Sequence, residues 1–154
     1  MVIESNRLDF VSNYLCIVLL VIASCCVFLL WEDIPEFVAI SYSFSGLISA
    51  YGSKYMLVVI LGLDWLVYGL ITILQRYPKA WNMGFKLTKN NEKRLYRLMK
   101  DMMNVIKVYI CFVLLLMMIN MILNINMNIF INIILIIILA FVVGYYLAQM
   151  YFCK

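Results

Sequence analysis

One acidic residue, Asp64, stands in the middle of a run of about twenty uncharged, mostly apolar residues. Acidic side chains inside membrane spans face a bundle interior and often mark ion or proton paths. Counting 1.5 Å per residue back from Arg76 places Asp64 about 18 Å inside the run, close to mid-depth. The same count brings Ser24, Tyr109 and Cys111 to a similar level, so we expect hydroxyl donors within reach. Asp64 either fixes helix packing, protonated or hydrogen-bonded, or takes part in ion or proton movement.

The sequence contains no other set of residues with the spacing of a catalytic or metal centre. It has no histidine, which excludes imidazole metal sites and a serine–histidine triad. Its five cysteines include no C-x-x-C pair, and we interpret them as free thiols that pack as small apolar side chains. We find no phosphate loop, no nucleophile with its base and no carboxylate pair. We therefore expect no enzyme, no cofactor and no bound metal.

The composition requires a membrane to hold the elements that carry these residues. Of 154 residues 67% are hydrophobic and 13% charged, against roughly 25% charged in soluble domains. We predict an all-α integral membrane protein with a single domain, whose four transmembrane helices form two antiparallel hairpins with both termini in the cytoplasm. The spans are predicted at about residues 13–31, 55–75, 102–123 and 129–150.

The first span offers a second interpretation. Residues 22–25 fit a bacterial lipoprotein signal, which is cut before a cysteine, here Cys25. However, one basic residue precedes the apolar run, and the run continues to Trp31 where a mature lipoprotein turns polar. We therefore expect an uncleaved span.

The connection Arg76–Lys100 sets the predicted orientation. It holds eight of the twelve Lys and Arg residues, which places it in the cytoplasm of a bacterial inner membrane. Residues 89–101 are predicted to form an amphipathic helix on the membrane surface that runs into the third span. We expect Lys107 to extend its ammonium group back to the head groups. The residues predicted to contact anionic lipid, or a cytoplasmic protein as the alternative, are Lys89, Lys93, Arg94, Arg97 and Lys100. We expect the net charge of +4 to serve binding to lipid head groups and not to nucleic acid.

The remaining segments are an outer loop at residues 32–54, a polar turn at 124–128 and two faces of small residues. The loop is predicted to lie against the membrane as a strand pair or a shallow helix. The abundance of Asn, Ile and Met in residues 117–138 is attributed to drift in base composition, and the asparagines are assigned no role. The small faces should let a neighbouring helix approach, within the monomer or, as the alternative, in a homodimer; they consist of Gly62 and Gly69, and of Ala140, Gly144 and Ala148.

Several features in the middle of the chain come in the order found in one family. These are Ile34-Pro35, the stretch Ser41–Lys54 with Gly46 and Gly52-Ser53-Lys54, then Pro78, Asn82, Thr88-x-x-Asn91 and Leu95-Tyr96-Arg97. In this order the chain resembles the small bacterial membrane family known as domain of unknown function 1648, which also occurs in SdpI-type immunity and signal-transduction membrane proteins. The resemblance covers about Trp31–Leu115.

The resemblance implies a four-span layout and a candidate extracytoplasmic motif of Gly46, Gly52, Ser53 and Lys54. The family's outer loop carries His-Phe-Asn followed by an Asp. Ser41, Tyr42, Ser43 and Ser49 stand in those places here, so chemistry that depends on the His, Asn and Asp does not carry over.

From the sequence we expect a non-enzymatic membrane protein, an accessory or immunity-like component that acts by contact with a partner or with lipid. The alternative is a small transporter or channel subunit that uses Asp64. A channel predicts a polar stripe from Asp64 to both surfaces, whereas the sequence shows a few hydroxyl groups at one level.

Overall fold

The chain folds into four long helices and one β-hairpin. The computed structural model describes residues 5–43, 45–81, 88 and 91–153, and for Lys79 it describes the backbone alone. Each long helix is long and apolar enough to cross a membrane, which confirms the prediction of a helical membrane protein with four spans. The helices are α1 (Arg7–Leu29), α2 (Tyr55–Leu74), α3 (Glu92–Leu123) and α4 (Ile129–Phe152), with a 3-10 turn at Pro78–Ala80.

Polar residues outside the apolar runs decide where α1 and α3 begin. The Asn6 side chain accepts a hydrogen bond from the Arg7 amide, and the Asp9 carboxylate accepts one from the Asn6 amide, forming a capping box. α3 begins at Glu92, after a turn in which Thr88 and Asn91 bond each other's backbone amides. It continues without a break to Leu123, so the amphipathic segment and the third span form one helix, as predicted.

α1, α2 and α3 pack around a shared interior, and α4 packs against α3. No residue in the most apolar stretch of α4 is buried inside the bundle. A helix that is apolar on all its faces can expose those faces to lipid. We call the main set of buried apolar side chains the apolar core cluster; it consists of Ala23, Val27, Ile34, Val38, Leu57, Leu61, Leu115, Met118 and Met121.

The loop between α1 and α2 forms a two-stranded antiparallel sheet of β1 (Phe37–Tyr42) and β2 (Ile48–Ser53). Phe37 pairs with Ser53 and Ala39 with Tyr51, and the register shifts on both sides of Ser41. Of the two conformations expected for this loop, the structure contains the strand pair. The all-α prediction therefore omits a small sheet, which Val38 and Ala39 bury against the bundle.

The two ends of the bundle differ in chemistry. At one end, which we call the polar end, α1 and α3 begin and α2 and α4 finish, so that Asp9, Gln75 and Asn104 meet there and Met150 packs on Leu95. The other end, which we call the hairpin end, carries the β-hairpin and the turn between α3 and α4.

Candidate functional site

A network of buried and half-buried polar side chains joins α1, α2 and α3 toward the polar end. The polar atoms of its members bond mainly to each other. We call them the inner polar network; it consists of Asp9, Asn13, Thr72, Gln75, Arg97, Lys100, Asp101, Asn104 and Lys107.

Asp9 is the anionic centre of this network. Arg97 holds both carboxylate oxygens through a fork of two bonds, 2.9 and 3.0 Å long, and the ammonium of Lys100 lies 2.9 Å from Oδ2. Asn104 donates a further bond of 2.6 Å. Asp9 precedes the uncharged part of α1. Burial by itself raises its pKa, but the bonds from Arg97 and Lys100 outweigh this effect and lower the pKa to about 2.

The predicted basic stripe on α3 is divided by this pairing. Arg97 and Lys100 turn inward to Asp9, and Arg97 also bonds Asp101 one turn further on. Lys93 and Arg94 are exposed. The prediction placed all of these charges on the lipid-facing surface, and it is wrong for Arg97 and Lys100 because a carboxylate on α1 lies within their reach. Lys89 lies outside the described residues.

Lys107 is fully buried, with 0% of its surface exposed. Its ammonium group has three donors and three oxygen acceptors: Asn13 at 2.6 Å, Gln75 at 3.2 Å and Thr72 at 3.4 Å. The group also lies 5.2 Å from the ring centre of Tyr68, in a cation–π contact. The expectation that Lys107 extends to the head groups is therefore wrong, because α1 and α2 satisfy all three donors inside the bundle.

Two amides connect this buried cation to the buried anion. Lys107 donates to the Gln75 oxygen, Gln75 donates 2.9 Å to the Asn104 oxygen, and Asn104 donates to Asp9. The two amide dipoles thus point the same way, with oxygen toward the ammonium and N–H toward the carboxylate. Such a chain strengthens each of its bonds by polarisation and fixes the side chains of three helices relative to one another.

Asp64 lies deeper in the same interior and is 0% exposed. Neither of its carboxyl oxygens accepts a hydrogen bond of ordinary geometry from the residues that the structure describes. The predicted donors do not reach it. Ser24 donates to the Leu20 carbonyl and accepts from the Trp65 indole, and Tyr109 donates 3.0 Å to the Leu135 carbonyl on α4.

Cys111 of α3, which sequence counting placed at the same level as Asp64, is buried and packs with Cys16 of α1. Tyr68 of α2, one helical turn from Asp64, packs against this pair. No group of three or more His, Cys, Asp or Glu side chains within the described ranges is arranged to hold a metal ion. Asp64 and the two thiols are thus buried in the same interior.

At the hairpin end the asparagines of the 124–128 turn hold the β-hairpin, which contradicts the prediction that they have no role. Asn124 accepts 2.8 Å from the Ala39 amide and donates 3.1 Å to the Phe37 carbonyl, so its side chain pairs with β1 as a neighbouring strand does. Asn126 accepts from the Ile48 amide at 3.0 Å.

Two further features of this turn were present in the sequence as signals. Asn124 ends α3 with φ of 50°, the left-handed conformation that Asn tolerates better than other non-glycine residues. Asn128 caps α4 by accepting from the Phe130 amide. An Asn at a helix end was therefore a recognisable cap, whereas its pairing with β1, 85 residues away, was not.

The four residues of the candidate outer motif have structural contacts. Gly46 has φ of 85°, and its carbonyl accepts a 2.8 Å bond from the Met127 amide. A side chain at Gly52 would meet Ile40. Ser53 ends β2 and its hydroxyl accepts from the Tyr55 amide.

Lys54, the last residue of that motif, joins the end of α1 to the start of α2. Its ammonium donates 3.3 Å to the Trp31 carbonyl and lies 4.8 Å from the centre of the Trp31 ring. Its backbone amide bonds the Glu36 carbonyl. Gly46 at the turn and Lys54 at the end of the loop thus fix the hairpin to the rest of the bundle at two points.

The small residues do not bring helices of this chain together. Gly62, Gly69 and Gly144 have no described atom within 4 Å of the position where a side chain would begin. Ala140 and Ala148 are exposed on the outward face of α4. The prediction that these faces are contacts within the monomer is wrong, because the bundle packs through the bulkier residues of the opposite faces.

Comparison of the chain with protein-family models, with curated proteins and with solved structures finds no match. The features of this chain from which a function can be inferred are the polar network, the buried acid and the anchored hairpin.

Proposed function

We propose that this chain is a non-enzymatic, multi-pass protein of a bacterial inner membrane that acts by contact with a partner protein, as an accessory or immunity-like component. The hairpin carries the proposal. Asn124 and Asn126 fix its backbone, while Phe37, Leu47 and Tyr51 remain exposed by 65%, 56% and 59%. A surface whose backbone is already ordered loses little entropy on binding, and aromatic side chains supply much of the energy of protein contacts.

The proposed orientation places the polar end in the cytoplasm and the hairpin outside, with α1–α2 and α3–α4 as two antiparallel hairpins. Eight of the twelve basic residues lie between α2 and α3, whereas residues 32–54 contain Lys54 alone. A reporter enzyme that works outside the cytoplasm, fused after Asn126, is expected to be active. A fusion at this point that behaves as cytoplasmic contradicts the orientation.

Lipid contacts are proposed for the exposed basic residues at the start of α3. Lys93 and Arg94 are exposed beside the bundle, and each basic residue near an anionic surface contributes about 1 kcal/mol. Arg97 and Lys100 are left out of this surface because Asp9 pairs with both. The resemblance to domain of unknown function 1648 supports the expectation of a four-span layout and of an immunity-like class.

The partner contact is tested with a photoreactive phenylalanine derivative at position 51 of the full chain, illuminated in intact cells. We expect a discrete protein adduct that disappears when Asn124→Ala loosens the hairpin. The same derivative at Phe141, on the outward face of α4, is the matched control and should not respond to Asn124→Ala. Failure to form a protein adduct at position 51, or an adduct unchanged by Asn124→Ala, contradicts the proposal.

A second copy of the chain is the alternative partner, and the surface for it is the outward small face with Ala140, Gly144 and Ala148. Its adduct, with twice the mass of the chain, would form from position 141 and not from position 51. The transporter alternative has weaker support, because it needs a polar path from Asp64 to both surfaces. Toward the hairpin end the next two turns of α2 carry Leu61 and Leu57, which belong to the apolar core cluster.

A further inference from the structure

We propose that Asp64 is a proton-binding site that exchanges its proton with the polar end of the bundle and not with the hairpin end. The site goes beyond the proposed contact function, since it requires no partner. It consists of the buried Asp64 carboxyl group on α2, the thiols of Cys16 on α1 and Cys111 on α3, and Tyr68, which packs against both thiols and contacts the Lys107 ammonium.

A bare carboxylate is costly at this position. Asp64 is 0% exposed, and neither oxygen accepts a hydrogen bond of ordinary geometry from the described residues. Asp9, by contrast, keeps its charge because Arg97 and Lys100 pair with it. An ionised carboxylate buried without comparable partners loses its hydration and regains little, so the group takes up a proton and becomes a neutral acid.

The chemistry of the neighbours favours a proton over a metal cation. Hard cations such as Ca²⁺ or Mg²⁺ take six or more oxygen ligands, whereas Cys16 of α1 and Cys111 of α3, which are buried in this part of the interior, offer sulfur. Within the described ranges no set of three suitable ligands surrounds a common point. A proton neutralises the carboxyl group without any further ligand.

The route to the site is polar on one side. Tyr68 lies one helical turn from Asp64 toward the end of α2, and its ring contacts the Lys107 ammonium. Tyr68 also packs against the buried thiols of Cys16 and Cys111. From Lys107 the hydrogen-bonded chain of amides leads to Asp9 at the start of α1.

On the other side the route is closed. Leu61 lies one turn from Asp64 toward the start of α2, and Leu57 one turn further. Both belong to the apolar core cluster, in which Ala23 and Val27 of α1 and Met118 of α3 are fully buried. Aliphatic side chains packed in this way provide no acceptor for a proton, so exchange toward the hairpin end is blocked.

The test uses a hydrophobic carbodiimide, which reacts with protonated carboxyl groups in apolar surroundings, on the full chain in sealed vesicles of defined orientation. Peptide mass spectrometry measures labelling of Asp64. We expect labelling near neutral pH that is lost as the pH rises on the side of the polar end, and that does not respond to pH on the other side. Asp9, ionised and paired, serves as the internal control and should remain unlabelled.

Three outcomes overturn the proposal. Asp64 that is labelled after unfolding but not in the folded chain is ionised or inaccessible. Labelling that follows the pH at the hairpin end, or at both ends, contradicts one-sided exchange. Protection by added sodium or calcium ions at constant pH identifies a cation site instead. Asp64→Asn, a neutral substitute of the same shape, serves as the unlabelled control and should keep the unfolding temperature, because the folded chain holds Asp64 as a neutral acid.

Discussion

Gly46 is the position where a single methyl group should do most to detach the hairpin. Its φ of 85° is left-handed, and a Cβ atom built there lies 2.0 Å from the Met127 carbonyl oxygen. Real side chains essentially never approach closer than 3.0 Å. Because the obstacle is backbone and not a flexible side chain, Gly46→Ala must displace either the hairpin turn or the α3–α4 turn.

The cost follows from the contacts in the turn. The left-handed conformation costs a residue with a side chain about 1–2 kcal/mol. Displacing the turn also breaks the bond from the Met127 amide to the Gly46 carbonyl and the bond from Ile48 to Asn126, each contributing about 0.5–1.5 kcal/mol. We therefore expect Gly46→Ala to destabilise the hairpin end by about 2–5 kcal/mol.

The assay is thermal unfolding in detergent micelles, combined with hydrogen exchange of the amides in the hairpin and the 124–128 turn. The matched control is Gly62→Ala, because Gly62 lies on an open helix face where alanine improves helix propensity by up to about 1 kcal/mol. Gly46→Ala should speed exchange in the hairpin while the inner polar network stays protected. Equal stability of the two variants, with unchanged exchange at Ile48, would refute the anchoring of the hairpin.

Three further predictions concern single side chains. Asn124→Gly should lose two hydrogen bonds, whereas Asn124→Ala should lose the same bonds and also the tolerance of Asn for the left-handed conformation. The Ala variant should therefore be less stable than the Gly variant by about 1 kcal/mol in denaturant titration. Equal stability of the two variants contradicts this explanation. Lys107→Met should leave two buried amide oxygens without a donor and cost about 2 kcal/mol by thermal unfolding, whereas exposed Lys93→Met should cost nothing measurable. The Asp9 pKa of about 2 in the folded chain lies below the unfolded value of 3.8, so the ionised carboxylate stabilises the fold by about 2 kcal/mol. This stabilisation is complete above about pH 5 and is lost as the pH falls through 2. Asp9→Asn should flatten the pH dependence of the unfolding free energy, and an unchanged pH dependence contradicts the ion pair.

The candidate site was predictable only where a residue's role depends on its own type and depth. Asp64 was recognised as a buried acid and Cys111 was placed at its level, because 1.5 Å per residue converts sequence into depth along any helix. Depth along a helix does not determine the direction in which a side chain points around the helix axis. Ser24 and Tyr109 lie at the expected depth, yet they bond the Leu20 and Leu135 carbonyls, because the packing of α1 and α3 turns them away from Asp64.

Charges show the same limit. The sequence placed Arg97, Lys100 and Lys107 correctly on α3, and with no partner in view the membrane surface was the best destination for each. Asp9, 88 residues from Arg97, and Asn13, 94 residues from Lys107, became partners only when α1 packed on α3. A long basic side chain reaches either lipid or a neighbouring helix, and the choice depends on what that neighbour offers.

What the sequence by itself determined is the number of helices long and apolar enough to cross a membrane, the residues where α2 and α4 begin, and the presence of one acid in the interior. These follow from hydropathy, helix rise and capping, which act within a segment and need no fold. Only the tertiary structure decided that Lys107 is buried, that Asn124 pairs with β1, and that Cys16 packs with Cys111. Each of those depends on which helix faces lie together, and that is set by the packing of side chains distant in sequence, so no local pattern records it.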